Sequence, residues 1–402
     1  MQKSITLQEI TNSKVLVRVS FDLPNLKDTT RILDAIPTIK QLLEQNNKLI
    51  ICTKWGKVNK NDKILESEMS KNELSTSKLI EVINSEFTKI NLSQTKNSLK
   101  NSLNAIYLNQ FENNFETQKI DESFEKTSII LLENTHFDPQ EKSKDTSKRL
   151  EIAKKYSGLA DFYVNEAFPS SHRLEATNTE IREFLPNTFG LSYLAEVENL
   201  NKLKQEIKRP YMVVMAGSKL ETKLPLIQQM LPKADKILLG GMLAFTFIKV
   251  AKDLNLPLME GFDEISHNYP ELFDSQIETD FLETAQKLLQ TYPQKLVLPV
   301  DFVYGEKEGK KYAFDVGPKT LELYKKILKE SKTIFWNGTL GYYEQKPFDF
   351  ATLELANFVA SLNTCFTTIG GGDTNSSLPT EILKKFSFVS MGGGATLEYL
   401  SK

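Results

Sequence analysis

Short apolar runs, each followed by a stretch with apolar residues every three or four positions, recur along this chain. The runs predict strands over Val15–Val19, Leu49–Thr53, Ile129–Leu132, Phe162–Val164, Tyr211–Ala216, Ile237–Leu239, Leu296–Pro299, Thr333–Trp336, Phe366–Ile369 and Phe386–Ser390. The amphipathic stretches predict helices over Ile32–Glu44, Thr146–Tyr156, Lys223–Gln229, Thr320–Lys329 and Asp349–Ser361. Strand alternating with helix implies an α/β protein with parallel sheets, and this many strands suit two sheets better than one. Residues 56–80 and 92–126 are polar without a strong period and read as surface helices and loops. From 187 to 208 the pattern is helical, with no strand expected before Tyr211. The expected organisation is therefore two doubly wound, Rossmann-like lobes, 1–186 and 209–402, joined by a helix over 187–208. A cleft between the lobes is the expected ligand site.

Composition narrows the function. The chain has 402 residues, 40% hydrophobic and 25% charged, which is enough to fill real cores. Its 50 Lys and Arg against 52 Asp and Glu give a net charge of −2, which argues against a general nucleic-acid binder. Cys52 and Cys365 sit in apolar runs and read as buried free thiols. His136, His172 and His267 lack metal-ligand spacing. No apolar leader or membrane-length run is present, so a soluble cytoplasmic protein is expected. Arginine occurs only at positions 18, 31, 149, 173, 182 and 209 in a lysine-rich chain, so each arginine is informative.

Glycine clusters where strands end: Gly240-Gly241, Gly370-Gly371-Gly372 and Gly392-Gly393-Gly394. Such turns let backbone N–H groups approach an anion, helped by roughly +0.5 charge at a helix start. Several on one sheet suggest a nucleotide phosphate site, and the dinucleotide and P-loop fingerprints are absent. Asp373 reads equally as a helix N-cap or as a carboxylate meeting Mg²⁺, with the Thr374 hydroxyl on a phosphate. Lys219 and Lys223, after Gly217-Ser218, share one helical face near its start. A polyphosphate there would turn an unfavourable pair into a favourable one.

At this point the chain resembles the phosphoglycerate kinase family, through eleven co-linear stretches. They include VLVRVSFDLP (15–24), LADFYVNEAFPSSHRLEAT (159–177), RPYMVVMAGSKLETKL (209–224), KTIFWNGTLGYYE (332–344) and TIGGGDTNSSL (368–378). The resemblance implies reversible glycolytic phosphoryl transfer between 1,3-bisphosphoglycerate and MgADP, with closure of the lobes. It implies Mg²⁺ with ADP or ATP, small-molecule substrates and a monomer, and neither nucleic acid nor membrane. By resemblance, Lys219 stabilises the transferring phosphoryl group and Lys223 meets the nucleotide phosphates. Asp373 is the Mg²⁺ carboxylate and Thr374 its neighbour. Gly217, Gly371, Gly372, Gly393 and Gly394 form the backbone cradle, and Asn337 and Glu344 lie on the nucleoside side.

The acceptor side departs from the family pattern. The motif Arg-Val-Asp-Phe-Asn-Val-Pro reads Arg18-Val19-Ser20-Phe21-Asp22-Leu23-Pro24 here. Positions 20 and 22 would share one face of a strand, so the carboxylate stays in the same pocket or alters what that pocket accepts. Lys54 stands for the family His, Lys57 for an Arg, and His136 for the Arg of Glu-Asn-Leu-Arg-Phe. Arg31 and Arg173 are retained. Lys54, Lys57, Arg31, Arg173 and a protonated His136 would form a cationic pocket. Lysine keeps the charge but loses the bidentate fork, and losing one charge-assisted bond at two of these positions costs about 3 kcal/mol. Met391 and Thr339 depart from the pattern too, and the family sequence runs on beyond the position of Lys402. These changes leave two alternatives open: a kinase for another small carboxylate, or a nucleotide-binding protein without turnover.

Overall fold

A computed structural model describes residues 5–58, 69, 71–89, 104–112, 114–218, 220–254 and 277–402. All ten predicted strands form, with their ends moved by a residue or two, and they fall into two all-parallel six-stranded sheets. The first sheet holds β1 (Lys14–Arg18), β2 (Lys48–Cys52), β3 (Ile106–Leu108), β4 (Ile129–Leu132), β5 (Phe162–Asn165) and β6 (Asn187–Phe189), in the order β3-β4-β2-β1-β5-β6. The second holds β7 (Tyr211–Met215), β8 (Lys236–Leu239) and β9 (Leu296–Val297). After the hairpin of β10 (Phe302–Lys307) and β11 (Lys310–Val316) come β12 (Thr333–Asn337), β13 (Phe366–Gly370) and β14 (Phe388–Ser390). Its order is β14-β13-β12-β7-β8-β9.

Both sheets are covered on two faces, which is why their strands read as continuous apolar runs rather than alternating ones. Along β1, Val15 and Val17 enter one core and Leu16 the opposite one. In the second sheet Val214, Leu238, Ile334, Trp336 and Ile369 meet on one face beneath the helices Pro318–Lys329 and Phe350–Ala360. Burying a Trp or Leu side chain contributes roughly 1.5–3 kcal/mol, so these faces hold each unit together. Cys52 and Cys365 are free, buried thiols.

The chain forms two compact units, Met1–Val197 and Glu198–Lys402, and the helix Leu191–Lys202 spans the division. The helical reading from 187 needs correction. Asn187–Phe189 is an edge strand paired with β5, and the helix starts only after Gly190. An edge strand of three residues is too short to show a period. The strand β3 likewise arises inside a polar region read as helices and loops.

In a doubly wound sheet, ligands gather beyond the carboxyl ends of the strands where the winding reverses direction. That point lies between β1 and β5 in the first unit and between β7 and β12 in the second.

Candidate active site

Beyond the ends of β7 and β12 lies a cavity of about 730 Å³. Its floor is backbone. Ala216 N–H donates to the Asn337 carbonyl at 2.9 Å, and Leu243 N–H to the Gly217 carbonyl at 3.2 Å. Glycine is required for this close approach. Gly338 has φ 98°, and a Cβ there would lie 1.8 Å from the Ala216 carbonyl oxygen. Gly371 has φ 112°, and its Cβ would crowd Asn337 Nδ2 at 2.7 Å.

Ten residues singled out in the sequence line this cavity: Gly217, Lys223, Asn337, Glu344, Gly371, Gly372, Asp373, Thr374, Gly393 and Gly394. Lys219 lies outside the described residues. The Lys223 ammonium donates to Asn337 Oδ1, and Asn337 Nδ2 donates to the Gly370 carbonyl at 2.6 Å. Burial lowers the Lys223 pKa to about 8, against the opposing pull of Asp373. Thr374 is buried, and its hydroxyl oxygen accepts from Gly338 N–H at 2.7 Å, so it braces the turn after β12. Asp373 is exposed in the first turn of Gly372–Ser376. The N-cap of that helix is Gly371, which removes the capping reading of Asp373.

The sequence reading missed the hairpin. Tyr312 and Phe314 on β11, with Phe302, Tyr342 and Tyr343, give the cavity an aromatic wall. Phe314 meets Tyr342 at 5.5 Å and Phe348 at 4.9 Å between ring centroids. The alternation Tyr312, Phe314 in a short strand was the available signal. Asp315 also lines the cavity, and burial pushes its pKa up to about 7, although it accepts N–H bonds from Ala351 and Val316. Ala351 lies in the first turn of the helix Phe350–Ala360, so Asp315 ties the hairpin to that helix.

In the first unit, β1 ends at Arg18, so Ser20 and Asp22 lie in the connection beyond the strand rather than on it. They still converge on one cation, with Phe21 between them fully buried. Arg31 reaches both: its Nη1 is 3.5 Å from Ser20 Oγ and 3.8 Å from Asp22 Oδ2. Lys54 Nζ donates to Asp22 Oδ2, and Gly56 N–H to Asp22 Oδ1 at 2.7 Å. Burial opposes ionisation of Asp22, but Lys54, Gly56 and Arg31 outweigh it and hold its pKa low. Burial lowers the Lys54 pKa more than Asp22 restores it, and the charges of Arg173 and Arg18 add to the lowering. Ser20, Asp22, Arg31 and Lys54 thus meet, with Arg173 near enough to repel Lys54. Arg173 and Lys57 are exposed.

His136 does not join them as an imidazolium. It is buried, its Nε2 lies 3.0 Å from Glu175 Oε1, and burial lowers its pKa despite that carboxylate. Glu175 also accepts from Arg18 Nη2 at 2.9 Å. The sequence reading passed over Glu175, which carries no motif signal.

Among the described residues no cluster of three or more His, Cys, Asp or Glu could hold a metal, and no helix is long and apolar enough to cross a membrane.

Known proteins place this architecture. The family model for phosphoglycerate kinase matches residues 5–402. The chain is 31% identical to the phosphoglycerate kinase of Fusobacterium nucleatum, covering 100% of this chain and 96% of that one. It is 32% identical to that of Fervidobacterium nodosum, covering 98% and 94%. Among solved structures, phosphoglycerate kinase from Coxiella burnetii superposes with a TM-score of 0.74 at 25% identity, over 100% of this chain and 96% of that one. The Pyrococcus horikoshii enzyme gives a TM-score of 0.75 at 23% identity, over 97% and 94%, and supports the fold alone. A match across both sheets and the hairpin together leaves one assignment: the chain belongs to the phosphoglycerate kinase family and is a kinase.

Proposed function

We propose that this protein transfers a phosphoryl group between 1,3-bisphosphoglycerate and MgADP, reversibly, as a monomer in the cytoplasm. The observation that carries this reading is the cavity beyond β7 and β12, lined by ten of the residues singled out for nucleotide. In the reaction, an oxygen of the ADP terminal phosphate attacks the acyl phosphorus. The bond from phosphorus to the carboxyl oxygen breaks, and the carboxylate leaves with the electron pair. Little covalent chemistry is asked of the protein, so catalysis rests on positioning and charge neutralisation.

In this reading the backbone around Gly217, Gly371, Gly372, Gly393 and Gly394 cradles the phosphates, and the aromatic wall takes the base. Lys223 exchanges its bond to Asn337 for a phosphate, whose negative charge pulls its pKa back up. Lys219 stabilises the transferring group. Asn337 and Glu344 contact the nucleoside. Residues 1–186 supply the acceptor side, with Ser20, Asp22, Arg31, Lys54, Lys57 and Arg173 around the phosphoglycerate.

An exposed carboxylate, Asp373, fits a Mg²⁺ ion held chiefly by phosphate oxygens and water, the usual manner for this small, reluctantly dehydrated cation. Bound there, Mg²⁺ would neutralise the nucleotide phosphates.

The test is turnover of MgATP with 3-phosphoglycerate, coupled to reduction of the acyl phosphate formed. Turnover supports the assignment. MgATP binding without turnover overturns it. A second reading, a kinase for another small carboxylate, is favoured by Asp22, which already occupies Lys54 and Arg31. Competition between 3-phosphoglycerate and other hydroxy acids separates the two.

A further inference from the structure

The acceptor cluster contains fewer available cations than its arginines and histidine suggest: burial lowers the His136 pKa, and one buried carboxylate, Glu175, holds both its ring and Arg18. Arg18 is fully buried at the end of β1, where its charge reaches Lys54. Its Nη2 ends on Glu175 Oε2 at 2.9 Å, and its Nη1 on the Val19 carbonyl at 3.3 Å. The other Glu175 oxygen takes His136 Nε2. Both oxygens are thus engaged, and both partners point toward Glu175. The neighbouring Glu141 accepts from the Thr177 hydroxyl at 2.6 Å and from its N–H at 3.2 Å. Burial and the Glu175 charge hold Glu141 protonated well above the usual range, so Glu175 is the principal counter-charge of Arg18.

Glu175 also belongs to the loop that presents Arg173. Arg173 N–H donates to the Ser170 carbonyl at 2.9 Å, Asn178 N–H to the Glu175 carbonyl at 2.9 Å, and the Asn178 amide to the Arg173 carbonyl at 3.0 Å. Glu175 therefore belongs to the same hydrogen-bonded turn as Arg173, two residues further on.

We propose that Glu175 is a specificity-determining residue that sets the anion affinity of the acceptor side by withdrawing Arg18 and His136 from it. This rests on the reading above for where the acceptor binds. The anion is left to Arg31, Lys54, Lys57 and Arg173, with Asp22 partly offsetting the first two.

The test is equilibrium binding of 3-phosphoglycerate and of inorganic phosphate to the full chain, measured by calorimetry for wild type and Glu175→Gln, with MgADP as a control. Made together with Glu141→Gln, so that Glu141 cannot ionise in its place, Glu175→Gln should tighten both anions about three- to tenfold, with the gain shrinking in 0.5 M salt. MgADP affinity should not change. A merely structural role would loosen anion binding instead, independently of salt. Unchanged or weaker anion binding by the folded double variant overturns the proposal, as does failure of both forms to bind either anion. Where that variant does not fold, Arg18→Met combined with Glu175→Leu removes both charges and keeps the core filled. Anion affinity within twofold of wild type is then expected. A tenfold loss would show Arg18 reaching the ligand and overturn the proposal. Tighter phosphate binding without phosphoglycerate turnover would sink the kinase reading and leave this one standing.

Discussion

The two switch points of this molecule are built from different materials. Beyond β7 and β12 the site is backbone: glycine turns, carbonyls and N–H groups, packed so closely at Gly338 and Gly371 that a single methyl group does not fit. Beyond β1 and β5 it is side chain: Asp22 between Lys54 and Arg31, and Glu175 between Arg18 and His136. Backbone geometry tolerates only glycine and therefore keeps its sequence signature. Charged side chains can trade places while conserving net charge, so the same function can be rewritten in them.

The sharpest way to break this contrast is at the reaction itself. Lys219→Ala should reduce kcat by about 10²–10³-fold or more, the scale of losing one preorganised charge at a transition state. It should leave the melting temperature intact, and an unchanged kcat would remove the assigned mechanism. Next in size comes the backbone. Gly338→Ala should cost at least about 2 kcal/mol in urea denaturation, because its Cβ meets the Ala216 carbonyl. Gly309→Ala, where φ is 71° and no atom lies within 4 Å, should cost only about 1 kcal/mol of backbone strain. Equal costs at the two glycines would mean that close packing is not what selects them.

A smaller effect tests the buried cation. Lys223 has a pKa of about 8 without ligand. Its folded pKa lies below the ordinary lysine value, so between pH 8 and 10.5 the unfolded chain binds more protons. Stability contributed by this group therefore rises with pH across that window. Nucleotide affinity runs the other way, weakening about tenfold as pH climbs past 8. Calorimetry in buffers of different ionisation enthalpy should show proton uptake when MgADP binds at pH 8.5. No uptake would place Lys223 away from the phosphates. The smallest expected effect is on the acceptor side. Ser20→Asp with Asp22→Asn should raise kcat/KM for 3-phosphoglycerate by about three- to tenfold. A fall would favour a different carboxylate as acceptor.

The contrast also explains what could be read from the residues alone. The fold was legible because strands buried on two faces leave unbroken apolar runs, as in Ile129–Leu132 and Tyr211–Met215. The edge strands Ile106–Leu108 and Asn187–Phe189 were not, since three half-buried residues carry no period. The nucleotide cavity was legible through its glycine triplets, except for the aromatic wall on a hairpin that no motif marks. On the acceptor side, residue types gave the net charge but not the pairing. His136 counts as a cation in the sequence, and only the fold shows it buried, with burial lowering its pKa against the pull of Glu175. Likewise Ser20 and Asp22 share Arg31, although the strand that was to align them has already ended.

The two buried thiols have a practical consequence. Cys52 closes β2 in the first unit, and Cys365 precedes β13 in the second. Burial pushes their pKa values up to about 12 and about 11, so neither presents a thiolate to an alkylating reagent while its unit stays closed. Each unit therefore carries its own reporter of transient opening. Pulse labelling followed by mass analysis of the two peptides would time how often each half breathes, and whether nucleotide quiets one half or both.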